Sequence, residues 1–550
     1  MTQYKLVPYH PRRGIFDLEY KWQVLISVLF GIFMIILDST VVNVAFQTLR
    51  REFGATLTSA QWVISLYVLA LGITTPLSGF LGDRFGIKRV YLTGLTLFVF
   101  GSLLCGLAPT LLMLIIARAI QGVGGGMAQP LGPALLYRAF PPKEQGTALG
   151  YFGIALVVAP ALGPILGGFL IDLNLWRGIF FINIPIGIIG ITLAYKLLKG
   201  TRESRKPALD PLGLITAVIG FGSILYAAEQ ASTTGWTSPL TVTLFGVGVV
   251  ALVAFAIIEL WLVREPMLNL RLFQNRTFLN ASIVGYVTVL ALFGAEFLMP
   301  IYLQALRGRT ALQTGLILLA LAGAAGIATP LAGRIYDKIG PRPLVIVGFS
   351  ILIINTWQLA HLQGTTSISF ILFLLALRGL ALGMTVQTTF TTALGSVPLQ
   401  LLPRGSSLAN STRFAVQAIA VALLATVVTS TLSPQVQALQ QQAQAQEGPS
   451  NTASFGVCET PNVATQDNIP PDAAAKLKEM PAASATQAKQ KIRAGVQAAC
   501  DENIAGFEKA YQLTFYFAIA ALLLGALLPG WPGKWGGRGS MQSPMPAGGH

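Results

Sequence analysis

Apolar runs separated by short polar segments extend along nearly the whole chain. A helix that crosses a bilayer core about 30 Å thick needs about 20 apolar residues, and fourteen runs fit that length. They lie at 24–46, 59–81, 90–108, 111–136, 147–171, 177–197, 211–230, 240–262, 278–303, 313–333, 344–360, 369–394, 407–430 and 508–528. Because a helix satisfies its own backbone hydrogen bonds in lipid, the pattern predicts an all-α integral membrane protein with 14 transmembrane helices.

Composition supports this assignment. Of the 550 residues, 53% are hydrophobic and 11% are charged, whereas soluble proteins average about 25% charged residues. The net charge of +15 is divided among short clusters between apolar runs, which favours lipid headgroups over nucleic acid as the partner. Three Cys and three His form no metal-ligand pattern, so no metal site is predicted. The first apolar run lacks a cleavage site, and we expect it to remain as a membrane helix.

Basic residues lie mostly on one side of the predicted membrane. Loops on the side of the N-terminus hold 23 Lys and Arg, and the short loops opposite hold 5. The positive-inside rule therefore predicts a multi-pass protein of the inner or plasma membrane with both termini in the cytoplasm.

The segment 431–506 is a long polar loop, which this topology places outside the cell. It contains Cys458 and Cys500, and an oxidising compartment would allow a disulfide between them, the alternative being two unpaired thiols. The loop is interpreted either as a docking site for an accessory protein outside the membrane or as a gate.

An internal repeat divides the chain. The segment Pro76–Lys88 aligns with Pro330–Arg342 at a constant offset, and each copy follows the second span of its half. Two such halves with a cleft between them are typical of alternating-access transporters. The predicted parts are a cytoplasmic N-terminus at 1–23, a six-helix half at 24–199, two extra helices with linkers at 200–277, a second six-helix half at 278–528 and a cytoplasmic tail at 529–550.

The repeated motif predicts a cytoplasmic gate. Gly79 allows helices to approach closely, Asp83 can accept hydrogen bonds at a neighbouring helix N-terminus, and the basic residues face anionic lipid. An alternative is a turn that only fixes topology. The predicted gate residues are Gly79, Asp83, Arg84, Gly86, Lys88 and Arg89 in the first copy and Gly333, Asp337, Lys338 and Gly340 in the second.

Two carboxylates lie well inside predicted spans, where a charge is costly and marks a functional candidate. Asp38 in span one and Glu296 in span nine are related by the repeat, and Arg118 and Arg378 lie at similar depths. We predict two clusters that line a central cavity, Asp38 with Arg118 and Glu296 with Arg378; the alternative is a pair of static ion pairs. Burial favours the neutral carboxyl and a nearby arginine favours the ionised form, so moving the arginine or admitting a cation would move a proton.

Two other acidic residues, Glu229 and Glu259, lie near span ends, where snorkelling to the interface is a sufficient explanation.

With these residues in place, the chain resembles the major facilitator superfamily and, within it, the fourteen-span drug:proton antiporters of the EmrB/QacA type. The gate motif carries the resemblance, together with Arg118-Ala-Ile-Gln121-Gly122 in span four and Leu37-Asp38-Ser-Thr40-Val-Val-Asn43 in span one. The resemblance implies a major facilitator fold with two extra central helices, a coupling role for Arg118, and Asn43 as a further site residue. The span-five residues that resemble the exporter motif are Gly153, Pro160, Gly163, Pro164, Gly167 and Gly168.

The motifs also limit the function. No GxxxxGK[ST] phosphate loop occurs, so we expect no cofactor and a proton gradient as the energy source. Neither HExxH nor GxSxG is present, and an enzyme is not predicted. The leading hypothesis is a multidrug-type, proton-coupled exporter of amphipathic, cationic small molecules. The alternatives are an exporter or importer of a metabolite, lipid or siderophore, and a membrane sensor that transports nothing.

Overall fold

A computed structural model of the chain describes residues 18–200, 210–263, 265–433, 458, 482–533 and 535. Every regular element in these ranges is a helix. Within the described residues, twelve helical segments are long and apolar enough to cross a membrane. The prediction of an all-helical, multi-pass membrane protein is therefore confirmed. Residues 1–17, 201–209 and 264, most of the predicted external loop and most of the predicted C-terminal tail lie outside the described residues.

The first eight helices form what we call the N-terminal half, and two more follow it as an extra pair. The N-terminal half consists of α1 (Tyr20–Glu52), α2 (Leu57–Phe85), α3 (Ile87–Leu107), α4 (Leu111–Ala128), α5 (Leu131–Ala139), α6 (Gln145–Asp172), α7 (Gly178–Phe181) and α8 (Asn183–Leu197). The extra pair consists of α9 (Pro211–Thr234) and α10 (Pro239–Ile257), and a π-helical turn at Ile258–Leu262 continues α10.

The remaining helices form the C-terminal half: α11 (Arg276–Ile301), α12 (Ala311–Ile339), α13 (Pro341–Ala360), α14 (Ile368–Gly395), α15 (Leu402–Thr429) and α16 (Ala482–Gly525). A π-helical turn at Tyr302–Leu306 follows α11. The predicted ninth and fourteenth spans fall on α11 and α16, which are not among the twelve segments.

The two copies of the repeat fold alike. Gly86 ends α2 with φ of 92°, and Gly340 ends α12 with φ of 87°. Each of these glycines donates its backbone N–H to the carbonyl four residues earlier, and the next helix begins directly after it. A side chain is strained at such a positive φ, so both sharp turns require glycine.

The fourth predicted span is interrupted, but not where its three glycines lie. The helix α4 continues through them and ends at Ala128, and α5 begins after Pro130. Proline has no backbone N–H to continue the ladder, which accounts for the break. The glycines instead bring α4 close to its neighbours, since a Cβ on Gly124 would lie 2.6 Å from Gly94 O of α3 and one on Gly126 would lie 2.5 Å from Leu71 O of α2.

Two seams join the halves. Along the first, α6 lies against α12 from end to end. Toward one end a Cβ on Gly150 would lie 2.8 Å from Thr329 O, and toward the other a Cβ on Gly315 would lie 3.2 Å from Pro164 Cβ. The second seam joins α2 to α15 near Gly79, where a Cβ would lie 2.6 Å from Pro403 O.

Farther from Gly79, α9 lies between α2 and α15. A Cβ on Gly72 of α2 would collide with Leu225 of α9, and Trp236, just after α9, donates to Thr426 of α15 at 2.6 Å. The first helix of the extra pair, α9, therefore forms part of the second seam.

The predicted loop 431–506 is partly helical. The helix α16 begins at Ala482, well before the predicted span at 508–528. Residues 482–500 are rich in alanine, which has the highest helix propensity, and this composition accounts for the extension. Cys500 on α16 forms a disulfide with Cys458, whose backbone N–H donates to Leu306 O at 3.1 Å. The disulfide thus holds one point of the loop against the end of α11.

This disulfide predicts a simple labelling result. Alkylation of the denatured protein should add two more alkyl groups after reduction than before it, because Cys105 is the remaining cysteine and is free in both samples. Mass spectrometry of the intact protein measures the difference. Equal masses with and without reductant would contradict the disulfide.

Candidate functional site

A buried ion pair lies inside the N-terminal half. Arg118 on α4 donates from Nη1 to Asp38 Oδ2 on α1 at 2.5 Å. Both residues are 1% exposed. The structure thus brings together the first predicted pair, whose members are 80 residues apart in the chain.

Two amides complete the surroundings of Asp38. Gln121 Nε2 and Asn183 Nδ2 both donate to Asp38 Oδ1, at 2.8 and 2.7 Å. Gln121 also accepts a bond from Arg118 Nη1 at 2.8 Å, and Arg118 Nε donates to Val63 O at 3.1 Å. Three side-chain donors, one of them a guanidinium, thus satisfy both oxygens of Asp38.

Two further site residues, Gln121 and Asn183, were not predicted. Gln121 lies one turn after Arg118 on the same face of α4, and that spacing was the signal available for it. Asn183 begins α8 and also donates to Ser102 Oγ at 3.0 Å, so it connects the site to α3. A polar, uncharged residue in an apolar run has many structural roles, and neither residue type identifies a site by itself.

The predicted cavity position of this pair is wrong for this structure. The Asp38 network is enclosed by α1, α2, α4 and α8, and the guanidinium carbon of Arg118 lies 3.9 Å from the centroid of the Tyr67 ring. Asn43, predicted to belong to the site, is exposed and lies about 140° round α1 from Asp38. The carboxylate points toward helices of its own half because its donors lie there.

The second predicted cluster is only partly described. Arg378 on α14 is fully buried and donates to Asn355 Oδ1 at 3.3 Å and to Thr356 Oγ1 at 3.1 Å on α13, and to Ala291 O at 2.9 Å on α11. Glu296 lies in α11, but its side chain is outside the described residues. In each half, therefore, a buried arginine bonds to the first helix of that half: Arg118 on α4 to α1, and Arg378 on α14 to α11.

The first gate aspartate forms an ion pair across the second seam. Asp83 Oδ2 accepts from Arg404 Nε at 2.6 Å, and Arg404 Nη1 donates to Pro266 O at 2.8 Å. About one turn from this ion pair, the hydroxyl groups of Ser78 and Ser407 form a hydrogen bond of 2.7 Å. The motif thus connects α2 of the N-terminal half to α15 of the C-terminal half.

The second gate aspartate caps a helix across the first seam. Asp337 accepts from the backbone N–H groups of Gly146 and Thr147, both at 2.8 Å, and from Thr147 Oγ1 at 2.6 Å. The predicted bonding to a helix N-terminus therefore occurs at Asp337, whereas Asp83 binds a side chain. The difference arises because α15 has Arg404 in its first turn, where α6 offers unoccupied N–H groups.

The basic residues of the motif were predicted to face lipid, and for Lys88 this is wrong. Lys88 Nζ donates to Tyr195 O at 2.7 Å and to Leu198 O at the end of α8. At the corresponding position of the second copy, Arg342 Nε donates to Leu528 O at 2.6 Å, just after α16. Both cations neutralise carbonyl groups that a helix C-terminus leaves unpaired. Arg89 and Lys338 are exposed, and Arg84 lies over the Phe85 ring at 5.7 Å.

Further hydrogen bonds between the halves lie at the same membrane face as the two gate aspartates, which we call the basic face. They run from Tyr137 to Thr391 O, from Ser406 to Pro130 O at 2.6 Å and from Gln387 to Leu149 O at 3.1 Å. The two halves are therefore closed against each other at the basic face.

The residues predicted as an exporter motif all lie on α6 and bring it close to both halves. A Cβ on Gly163 would lie 2.6 Å from Thr40 Cβ on α1, and one on Gly167 would lie 3.2 Å from Val41 O. On the other side, a Cβ on Gly153 would lie 2.8 Å from Gln387 Cγ on α14, and Gly168 faces Leu312 on α12. Pro160 and Pro164 lie inside the helix. The helix α6 thus connects the helix that carries Asp38 to the C-terminal half.

Comparisons with known proteins agree with this arrangement. The profile of a family described as the Major Facilitator Superfamily matches residues 28–421. The transporter YhcA of Bacillus subtilis is 37% identical over 74% of this chain and 76% of its own length. The lincomycin resistance protein LmrB of B. subtilis is 30% identical over 74% of this chain and 85% of its own length. A multidrug resistance protein B homolog of Mycobacterium tuberculosis is 32% identical over 71% of this chain and 73% of its own length.

Solved structures share the fold at low sequence identity. A double-tryptophan mutant of XylE superposes with a TM-score of 0.58 at 14% identity, covering 95% of this chain and 98% of that one. The human organic anion transporter MFSD10 gives a TM-score of 0.52 at 12% identity, covering 90% of this chain and 99% of that one. With its repeated gate motif, its two facing halves and these matches, the chain belongs to the Major Facilitator Superfamily.

Proposed function

We propose that the protein is a proton-coupled exporter of amphipathic, cationic small molecules. The observation that carries this proposal is the enclosed Asp38–Arg118 pair. Asp38 lies on α1, which packs against α6, and α6 in turn contacts the C-terminal half. Relatives named for resistance to lincomycin or to several drugs support export of foreign compounds. The alternative is a transporter of a single metabolite, and the transport assay below distinguishes the two.

The proposed topology has fourteen spans, with both termini in the cytoplasm and the basic face toward the cytoplasm. This number is obtained by counting α11 and α16 as spans in addition to the twelve apolar segments. The helix α16 packs within the bundle, since Phe507 lies 6.0 Å from the Tyr302 ring and a Cβ on Gly525 would collide with Val345 of α13. The excess of 23 basic residues over 5 supports the orientation.

In this proposal, proton binding and substrate binding compete because they favour different protonation states of Asp38. The carboxylate is satisfied here by Arg118 and two amides, so a proton binds only when α4 or α8 shifts relative to α1 and withdraws donors. A cationic substrate favours the ionised form of the same group. Because α1 contacts α6, such a shift changes the contact between the halves, which is the movement that alternating access requires.

Transport in everted membrane vesicles tests the proposal. Addition of a substrate cation to vesicles with an acidic interior should release protons, and an uncoupler should abolish substrate accumulation. One cationic and one neutral drug, and a panel of metabolites, separate multidrug export from export of a single compound. Accumulation that persists without a pH gradient would overturn proton coupling.

Topology is tested independently of transport. Reporter fusions after Lys206 and Lys534 should show cytoplasmic activity, and a fusion after Gln446 should behave as external, because an odd number of proposed spans separates Gln446 from each of the other two points. Cytoplasmic activity at Gln446 would contradict the fourteen-span count.

A further inference from the structure

Two carboxyl groups meet where the extra helix pair reaches the basic face. Asp210 precedes α9 and accepts from Gly213 N at 3.0 Å through Oδ1. Glu259 lies in the π-helical turn at the end of α10. A Cβ on Gly213 would collide with Asp210 Oδ2 and would lie 3.0 Å from Glu259 Oε1, so the two groups share one small space.

Glu259 does not snorkel to the surface, in contrast to the prediction. It is 1% exposed, and its Oε1 accepts from Met267 N at 3.1 Å. Its other oxygen, Oε2, is buried and has no hydrogen-bond partner among the described residues, and the same holds for Asp210 Oδ2. Two ionised carboxylates side by side, each with an unpaired buried oxygen, would be strongly unfavourable.

One proton resolves this arrangement. A proton on one carboxyl group removes the repulsion between the two, and it supplies a donor for an oxygen that otherwise has none. The charged groups that interact electrostatically with Glu259 are Asp210, before α9, and Arg404, on α15. Arg404 is itself paired with Asp83, on which Arg138 also acts. Arg271 donates to Leu260 O at 3.0 Å, and Arg404 donates to Asp83 and to Pro266 O.

A single peptide group connects this carboxyl pair to the gate. The carbonyl of Pro266 accepts from Arg404, and the N–H of Met267, which belongs to the same peptide unit, donates to Glu259. If Glu259 were ionised, it would attract the guanidinium of Arg404 and compete with Asp83 for it. The protonation state of Glu259 therefore affects the ion pair that closes the second seam.

We propose that Glu259 and Asp210 share one proton and that this proton keeps the Asp83–Arg404 gate closed. The site is a second proton-binding position, separate from Asp38, and it gives the extra helix pair a role in the transport cycle. Its link to transport rests on the proposed function, but proton binding and gate closure do not. When the gate opens, water reaches the pair and the proton leaves at the basic face.

The first test detects the proton directly. Infrared spectra of the purified protein at neutral pH should contain a protonated-carboxyl band that is lost in Glu259→Gln. Glu265→Gln is the matched control, because Glu265 is only partly buried and should leave the band unchanged. An identical band in wild type and Glu259→Gln would overturn the proposal. A band that disappears on addition of NaCl would also overturn it, since it would identify the ligand as a sodium ion.

The second test follows the gate. Spin labels at Phe85→Cys and Leu399→Cys, both exposed near the basic face, report the separation of α2 from α15. We expect the open fraction to increase about tenfold as the pH rises in wild type, and to remain low at every pH in Glu259→Gln, whose amide stays neutral and can donate to Asp210. Opening on lowering the pH would instead indicate protonation of Asp83 and would overturn the proposal. Absent transport with an intact pH response would refute only the proposed function.

Discussion

Asp38→Asn should reduce proton-driven transport of every substrate to the level of vesicles without the protein. The amide cannot ionise, and it presents a donor where Gln121 and Asn183 both donate to Oδ1. The substitution also leaves the buried charge of Arg118 without its partner, and removal of one member of a buried pair costs about 3–5 kcal/mol of stability. Transport is measured in everted vesicles with an imposed pH gradient, for one cationic and one neutral compound.

Two controls separate lost coupling from lost folding. Glu52→Gln removes a carboxylate from an exposed position at the end of the same helix and should leave transport unchanged. Asp38→Glu keeps the charge and should retain part of the coupling if the variant elutes as a monodisperse peak. A proton-coupled Asp38→Asn variant would show that the exchangeable proton resides elsewhere.

The Asp83–Arg404 pair should control access at the basic face. Asp83→Asn and Arg404→Gln should each increase the open fraction, as measured by the spin-label distance between Phe85→Cys and Leu399→Cys, because the ion pair joins α2 to α15 at 2.6 Å. Transport should fall in both variants while substrate affinity changes little, since the pair lies far along α2 from the Asp38 network.

A double-mutant cycle distinguishes a direct contact from independent effects. The combined variant should open the gate no more than the single variants do, because either substitution already breaks the same bond. The charge reversal Asp83→Arg with Arg404→Asp should restore part of the closure. Additive effects in the double variant would contradict a direct role for the pair. The matched substitution Lys338→Gln, at an exposed residue of the second copy, should leave the distance unchanged.

The charged centres could be predicted because a charge in an apolar run differs from all of its neighbours. Asp38, Arg118 and Arg378 all lie buried inside helices, where the pattern of runs places them. The turns at Gly86 and Gly340 could likewise be predicted, since the repeat aligns two glycines whose φ is positive. What the pattern did not contain was the direction in which each side chain points, and so the Asp38 network was expected in a central cavity.

Partners distant in sequence were the main cause of error. Arg404 is 321 residues from Asp83, and no local signal connects them. The lipid-facing prediction for Lys88 failed because unpaired carbonyls at the end of α8 are invisible in a hydropathy pattern. The prediction that Glu259 snorkels to the interface was wrong because depth along a span does not show that a following loop folds over the span end and buries it. Each of these errors concerns packing between elements, which a single sequence does not encode locally.

The unequal seams between the halves determine how the molecule opens. Gly146 and Gly150 bring α6 into close backbone contact with α12 near the basic face, and Gly168 and Gly315 lie in the contact at the other end, so sliding or separation there would lose contacts along both helices. On the opposite side, α2 contacts α15 near Gly79, and farther along α9 lies between them. We therefore expect rotation about a hinge parallel to α6 and α12, with the largest displacement at α2, α9 and α15. Such a one-sided, door-like motion would make the path for the substrate asymmetric, with its lateral opening beside the extra pair.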